Sequence, residues 1–406
     1  DNTGNSVSFT NAAATNISAG GIQGSTVVLN TANGLTQTGA IVATSLDVTN
    51  TVAGNVVLDQ NNDVATVAIT NEVADVTYTT NRSSTTDIAG IQGVNIDLNS
   101  ENGITQSGAI TATSLDVTNA ATGNVVLANG SNDVDSLTVI NTTRAITYSD
   151  SDDVILNQLD GSPITINAGG NVTQVSTIQG TDLIVTAGGE IDLDTVVNSV
   201  DTFTATSTNS DITLSTNQPL VVAAAGIDAG LGNIGLTVTN GSLTQVGELT
   251  GASLALIITD GDVVLDNALN DVDSIAALVE GTNRSFTFND KDDLIIGSAG
   301  TLHGIVGENI ITLSTGGHLT QTKSIQADSL KVSNTGGDIT LTDTGNKFDY
   351  LEAQNSGRSI SILSTSNSVD AVTTIYGTGI EGSTVNLVTE GIAQTAPIKA
   401  SFLDIS

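Results

Sequence analysis

Apolar and polar positions alternate in short runs along the whole chain. Residues 26–29, 45–49, 55–58, 66–70 and 75–79 show the pattern first, each run bounded by Gly, Asn or Asp. A period of two marks a strand with one buried face. No stretch joins an N-cap to the 3.6-residue stripe of an amphipathic helix, and only three prolines interrupt the chain. The pattern predicts an all-β protein.

The runs belong to a longer period. A Thr-Gln or similar dipeptide after an apolar residue recurs, with its glutamine at Gln37, Gln106, Gln174, Gln245, Gln321 and Gln394. These positions are nearly evenly spaced, with a period of roughly 70 residues, the scale of a repeat architecture. Shortly after the glutamine stands Ser45, Ser114, Ser253 or Ser329, each followed by Leu. A Gly-[Asn/Asp/Glu]-[Val/Ile]-x-Leu segment follows at 54–58, 123–127, 189–193, 261–265 and 337–341, then Asn-Asp-Val at 62–64, 132–134 and 270–272, with degenerate copies at 198–200 and 346–348. Four features in phase imply a solenoid, propeller or array. Each unit subdivides into three to four coils of roughly 20 residues. The expected fold is a parallel β-helix, a β-solenoid, running as one continuous body over 1–406 in about six degenerate repeats with no separate globular domain. Three short strands per coil would build three parallel sheets about 4.8 Å per coil, with Gly and Asn turning the corners. A propeller is disfavoured, because its blades usually carry aromatic signatures and antiparallel hairpins.

Composition sharpens this picture. Aromatics are 2% of the chain and Trp, Met and Cys are absent, so the core must be built from Val, Ile, Leu and Ala. That suits an interior one or two side chains thick. A net charge of −34 raises disorder as an alternative, but regularly placed β-branched residues argue against it. Without Cys there are no disulfides or thiolate metal sites. The acidic balance repels nucleic acid and anionic lipid, and no apolar run approaches the roughly 18 residues that span a bilayer. All five Lys lie from Lys291 onward.

Candidate chemistry is sparse. Acidic corners recur at matched places, Asp150, Asp152, Asp153 and Asp290, Asp292, Asp293. They read first as solvated turns, and second as oxygen ligands for Ca²⁺, although their spacing is not that of an EF-hand loop. Arg144, Arg284 and Arg358 stand in equivalent positions, with Ala74 in the first unit; a surface ion pair is the plain reading. Residues 230–235 (GLGNIG) match the dinucleotide-binding pattern, but a strand, not a helix, is expected next, so a glycine corner is the better account. His303 and His318 are the only histidines, and no nucleophile elbow accompanies either. Thr-x-Thr pairs at Thr77/Thr79 and Thr237/Thr239 do not recur in phase as a flat ice-binding face requires.

The segments GDVVLDNALNDV (261–272), GNVVLANGSNDV (123–134) and GITQSGAITATSL (103–115) resemble the repeats of filamentous-haemagglutinin-like exoproteins, very large bacterial adhesins of two-partner secretion systems. The similarity covers essentially the whole chain. It implies a right-handed parallel β-helix displayed at the cell surface in host or biofilm attachment. The chain starts and stops inside a repeat: residues 401–406 followed by 1–9 reproduce 44–58 almost in register. Either it is a window of a longer array or it stacks head to tail with copies of itself. The expected role is structural or adhesive, extracellular and not enzymatic, with glycans, other cells or further copies as partners and Ca²⁺ the one cofactor in view. The alternative is a carbohydrate-active β-helix lyase or hydrolase, which needs a cluster of carboxylates with Arg or Lys on one face.

Overall fold

The computed structural model describes residue 2, residues 4–366 and residues 372–406; Asp1 and Thr3, part of the end-to-end reading, lie outside the described residues. All secondary structure there is β, and no helix among the described residues is long and apolar enough to cross a membrane. The strands stack in parallel as a β-solenoid of about 20 turns. By internal contacts the chain divides into two compact units, Asp1–Ile191 and Asp192–Ser406.

Each coil offers three pairing segments. In the first unit these are the short strand Leu35–Gln37 and the two halves of Ile41–Asn50. Ile41, Val42 and Ala43 pair with Ile22, Gln23 and Gly24, while residues 45–50 pair with 26–31. The runs 55–58 and 66–70, separate in the sequence pattern, merge into one strand, Val56–Thr70, whose middle turns the corner. Apolar side chains from successive coils pile up in columns, as in Leu35, Val56, Val76 and Ile96. All four are at most 2% exposed. Fully buried methyl-rich side chains of this size are each worth roughly 1.5–3 kcal/mol relative to exposure. Six of the ten aromatics, Tyr78, Tyr148, Phe203, Phe286, Phe288 and Phe348, are also fully buried.

The long period has a structural cause. Leu46, Val67, Ile88 and Gln106 form one column. The leucine of the repeat thus stands in one column with the glutamine of the next, three coils further on. Leu115, Leu137, Leu156 and Gln174 repeat it. In the second unit Leu254, Ile275, Ile296 and Gln321 follow the rule, as do Leu330, Leu351, Ile375 and Gln394.

Along these columns the long segment divides. Residues 66–70 pair with 87–88 and then, after a register shift, with 90–92. The first piece carries the next short strand, Ile104–Gln106, and the second carries Ile110 and Thr111. The ladder that held the old short strand receives the new long one, Asn95–Ser100 pairing with 114–119. The same motif therefore lies on different ladders in successive repeats of a unit.

The longest insertions sit at this division, while shifts of three residues against one also occur at the corners 59–61 and 356–358. The division holds one extra residue at Ala89 and at Asn157. It widens to 223–226 opposite Thr204, to 297–304 opposite Ala276, and to 376–379 opposite Glu352. Residues 297–304 contain the one antiparallel pairing among the described strands, Ser298–Ala299 with Leu302–His303. Where the division holds a single extra residue the packing stays tight. A β-carbon on Gly108 would lie 1.9 Å from the Ala89 carbonyl oxygen of the coil before it, so only glycine fits that approach.

Four residues of Gly-Ser inserted after Asn157 should therefore cost about 1 kcal/mol or less, the increment of a lengthened surface loop. The same insertion after Ile184, inside the ladder of residues 183–187 with Ile164–Ala168, should cost several kcal/mol through lost pairing and column burial. Urea midpoints of the two variants check this, and equal losses would contradict the assignment of the division.

Candidate functional site

The repeat signatures meet at one corner. Asn62 is fully buried, and its Oδ1 accepts hydrogen bonds from Gln37 Nε2 at 3.0 Å and the Ile41 amide at 2.8 Å. Its Nδ2 donates to the carbonyls of Leu58 at 3.1 Å and Thr79 at 2.9 Å. One side chain thus ties the coil before it, its own coil and the coil after it. Asn132 repeats the pattern with Gln106, Ile110 N, Leu127 O and Ser149 O. In the second unit Asn270 bonds Gln245, Leu249 N, Leu265 O and Asn289 O, and Asn346 bonds Gln321, Ile325 N, Leu341 O and Leu363 O.

A second amide chain closes the corner after the long strand. Asn50 accepts from Gly34 N at 2.9 Å and donates to Ala53 O, Gly54 O and Asn71 Oδ1, and Asn71 donates to Asp75 O at 2.8 Å. Asn119 and Asn141 do the same one repeat later. The sequence pattern passed over this pair, although Asn50, Asn119 and Asn334 close the same strand and are followed one coil on by Asn71, Asn141 and Asn355.

The acidic corners divide by depth. Asp150 and Asp290 are buried, at 4% and 2% exposure. Asp150 Oδ2 accepts from Val134 N at 3.2 Å and from the Tyr148 hydroxyl, and Oδ1 accepts from Asp152 N at 3.2 Å. Asp290 accepts from Val272 N and Asp292 N, both at 3.1 Å. In the repeat between them Thr216 Oγ1 accepts the matching Val200 and Gln218 amides, each at 3.3 Å. The aspartates thus stand where a hydroxyl also serves. Burial pushes the Asp290 carboxyl up to about 7 against the pull of those two amides. It pushes Asp150 up to about 6, opposed by the Tyr148 hydrogen bond. Asp153 Oδ1 accepts from Asn171 N at 2.6 Å and Asp293 Oδ1 from His318 N at 2.5 Å. Asp152 and Asp292 face solvent. Among the described residues no group of three or more His, Cys, Asp or Glu side chains is placed to hold a metal ion.

The remaining candidates separate. Arg284 pairs with Asp260 at 2.6 Å on the surface, whereas Arg144 and Arg358 are exposed. Arg82 pairs with Asp63 at 3.0 Å. Gly230 turns a corner at φ 57°, and the strand Asn233–Val238 follows where a dinucleotide site needs a helix. His303 Nδ1 lies 2.8 Å from Ser298 Oγ on the exposed hairpin. His318 Nδ1 accepts from Asp338 N at 3.0 Å.

Comparison with protein families gives one match, to a family described as "Repeats of unknown function (DUF5649)", over residues 285–351. That span is about one repeat long. Comparisons with curated proteins and with solved structures gave no match.

Two outcomes follow from the corners. Asn132→Ala removes a side chain bonded to three coils and should cost about 3 kcal/mol or more, whereas Gln106→Ala, which leaves the Asn132 main-chain bonds in place, should cost about 1 kcal/mol. Equilibrium urea unfolding of the two variants measures the ratio. For Asp290 the folded carboxyl holds its proton more tightly than the unfolded one. Its contribution is therefore full below about pH 4 and is lost as pH rises through about 7. Asp290→Thr should raise stability at pH 8 by on the order of 2–3 kcal/mol, with the gain shrinking toward pH 4; a pH-independent difference would contradict the burial account.

Proposed function

We propose that the chain is a load-bearing and surface-displaying element of a bacterial exoprotein, acting outside the cell in attachment. A repeat β-solenoid is compatible with a structural or adhesive role. The observation that carries the reading is the corner amide, one buried Asn bonded to three successive coils in four repeats. Such a contact resists separation of coils along the stack, because pulling one coil away leaves main-chain groups of its neighbours unpaired. The acidic surface keeps the stack dispersed. The resemblance to filamentous-haemagglutinin-like repeats supports the location and the adhesive side of the proposal, and the chemistry proposed is binding, not turnover.

Held by its termini in optical tweezers, the chain should lengthen in many successive steps of about 70 Å, the contour of one coil of about 20 residues. A single rip for each compact unit, as a globular domain gives, would overturn the load-bearing reading. Sustained release of reducing ends from a panel of polysaccharides would move the chain to the carbohydrate-active enzymes.

A further inference from the structure

At the last division of the long strand the flanking side chains change character. Beside the column Leu115, Leu137, Leu156 and Gln174, the residues flanking the division are Ser136, Thr138 and Asn157. At the matching places of the column Leu330, Leu351, Ile375 and Gln394 stand Tyr350, Glu352 and Tyr376. In the first repeat the same places hold Thr66, Ala68 and Ala89. The stacked column does not require the change, since small residues serve there in the other repeats.

The new side chains meet on the outer surface. The Tyr350 and Tyr376 rings lie edge to face, 5.6 Å between centroids at 70°, and Tyr350 remains 41% exposed. Lys331, the register partner of Glu352, places Nζ 5.4 Å from the Tyr376 ring centre and 3.4 Å from Glu352 Oε2. Glu352 Oε1 accepts from Thr378 N at 3.0 Å and from the Thr378 hydroxyl. The loop closes this tightly because Gly377 takes φ 63°, and a β-carbon there would come 2.3 Å from Glu352 Oε2. Alongside runs a shallow groove of ≈ 200 Å³ whose lining includes Thr312, Lys331, Ser333, Glu352 and Gln354.

We propose that this face binds a neutral saccharide chain, one pyranose ring stacking on Tyr350 and the hydroxyls of that ring and of the next ones along the saccharide bonding Glu352, Lys331 and Gln354. An exposed aromatic face accepts the apolar C–H face of a sugar, while a carboxylate, an ammonium, an amide and hydroxyls around it supply the directional bonds that choose the sugar. A neutral chain suits the site better than a polyanion. The protein carries −34 overall, and its one nearby ammonium is already paired with Glu352. Binding suits it better than cleavage. Burial acts to raise the Glu352 carboxyl, but the Thr378 hydrogen bonds and Lys331 outweigh it and hold it below the usual carboxylate range, so it stays ionised and has no proton to give a leaving group. The site names a partner for the adhesive side of the proposed function and rests on that reading for its purpose alone.

The test is calorimetry of the full chain with linear hexasaccharides of glucose, mannose, galactose and N-acetylglucosamine, with polygalacturonate and heparin as anionic probes. At least one neutral hexasaccharide should bind. Tyr350→Ser and Tyr376→Asn, which install the residues used at Ser136 and Asn157, should each weaken that binding tenfold or more while thermal midpoints stay within about 2 °C. Tyr376→Phe, which keeps the ring, should retain binding. Saccharide binding untouched by the first two variants would overturn this site while leaving the adhesive reading in place. Binding of the anionic probes alone, or of no probe, would overturn the proposal itself.

Discussion

A β-solenoid with a thin interior must satisfy main-chain groups at corners where the ladders stop, and side-chain amides do that here. At a corner the strand ends, yet the N–H and C=O groups remain largely hidden from water. Left unpaired, each would cost about 1–3 kcal/mol. An Asn side chain carries both a donor and an acceptor, so one residue serves groups of opposite type on neighbouring coils. Asn62 and its counterparts do this at one corner, and Asn50 with Asn71 at another. Glutamines such as Gln37 and Gln106 complete the arrangement, each filling the end of its strand with a group that reaches the next coil's Asn.

Much of the fold was legible in the sequence. Period-two alternation gave the strands, and the glutamine spacing gave the long repeat. The resulting expectation of a parallel solenoid built from short, regular coils is what the structure shows. Less legible was the reason for the long period. Alternation says which face a residue takes, but not which ladder it joins, so the handover from Leu46 to Gln106 across three coils could not be read from it. Gln37 and Asn62 were visible as separate signatures, yet their contact depends on coil geometry that spacing alone does not supply. Tyr350 and Tyr376 belong to successive coils. Two tyrosines in ordinary strand positions carry no signal in the sequence until the stacking places them together.

The acidic corners show one residue type doing two jobs within a few positions. Asp150 and Asp290 turn inward to cap an amide of the preceding coil, and burial makes their ionised form costly. Asp152 and Asp292, two residues on, face water and help give the surface its sign. Residue type identified an acidic corner; depth, which only the coil geometry supplies, decides whether each carboxyl disperses the molecule or strains its interior.

The divided long strand has a consequence for how such a chain can diversify. Where one segment hands over to two successors, the main chain is already leaving its ladder, so extra residues enlarge a gap without breaking a pair. Lengths from one residue at Ala89 to eight at 297–304 are accommodated there while the flanking columns keep their pairing. Successive divisions within a unit fall on different ladders, so loops grown in neighbouring repeats emerge from different sheets, and those two repeats apart return to the same one. The scaffold thus sets a pitch for display: new recognition surfaces are added at fixed stations, and selection can alter one without touching the interior that supports the next.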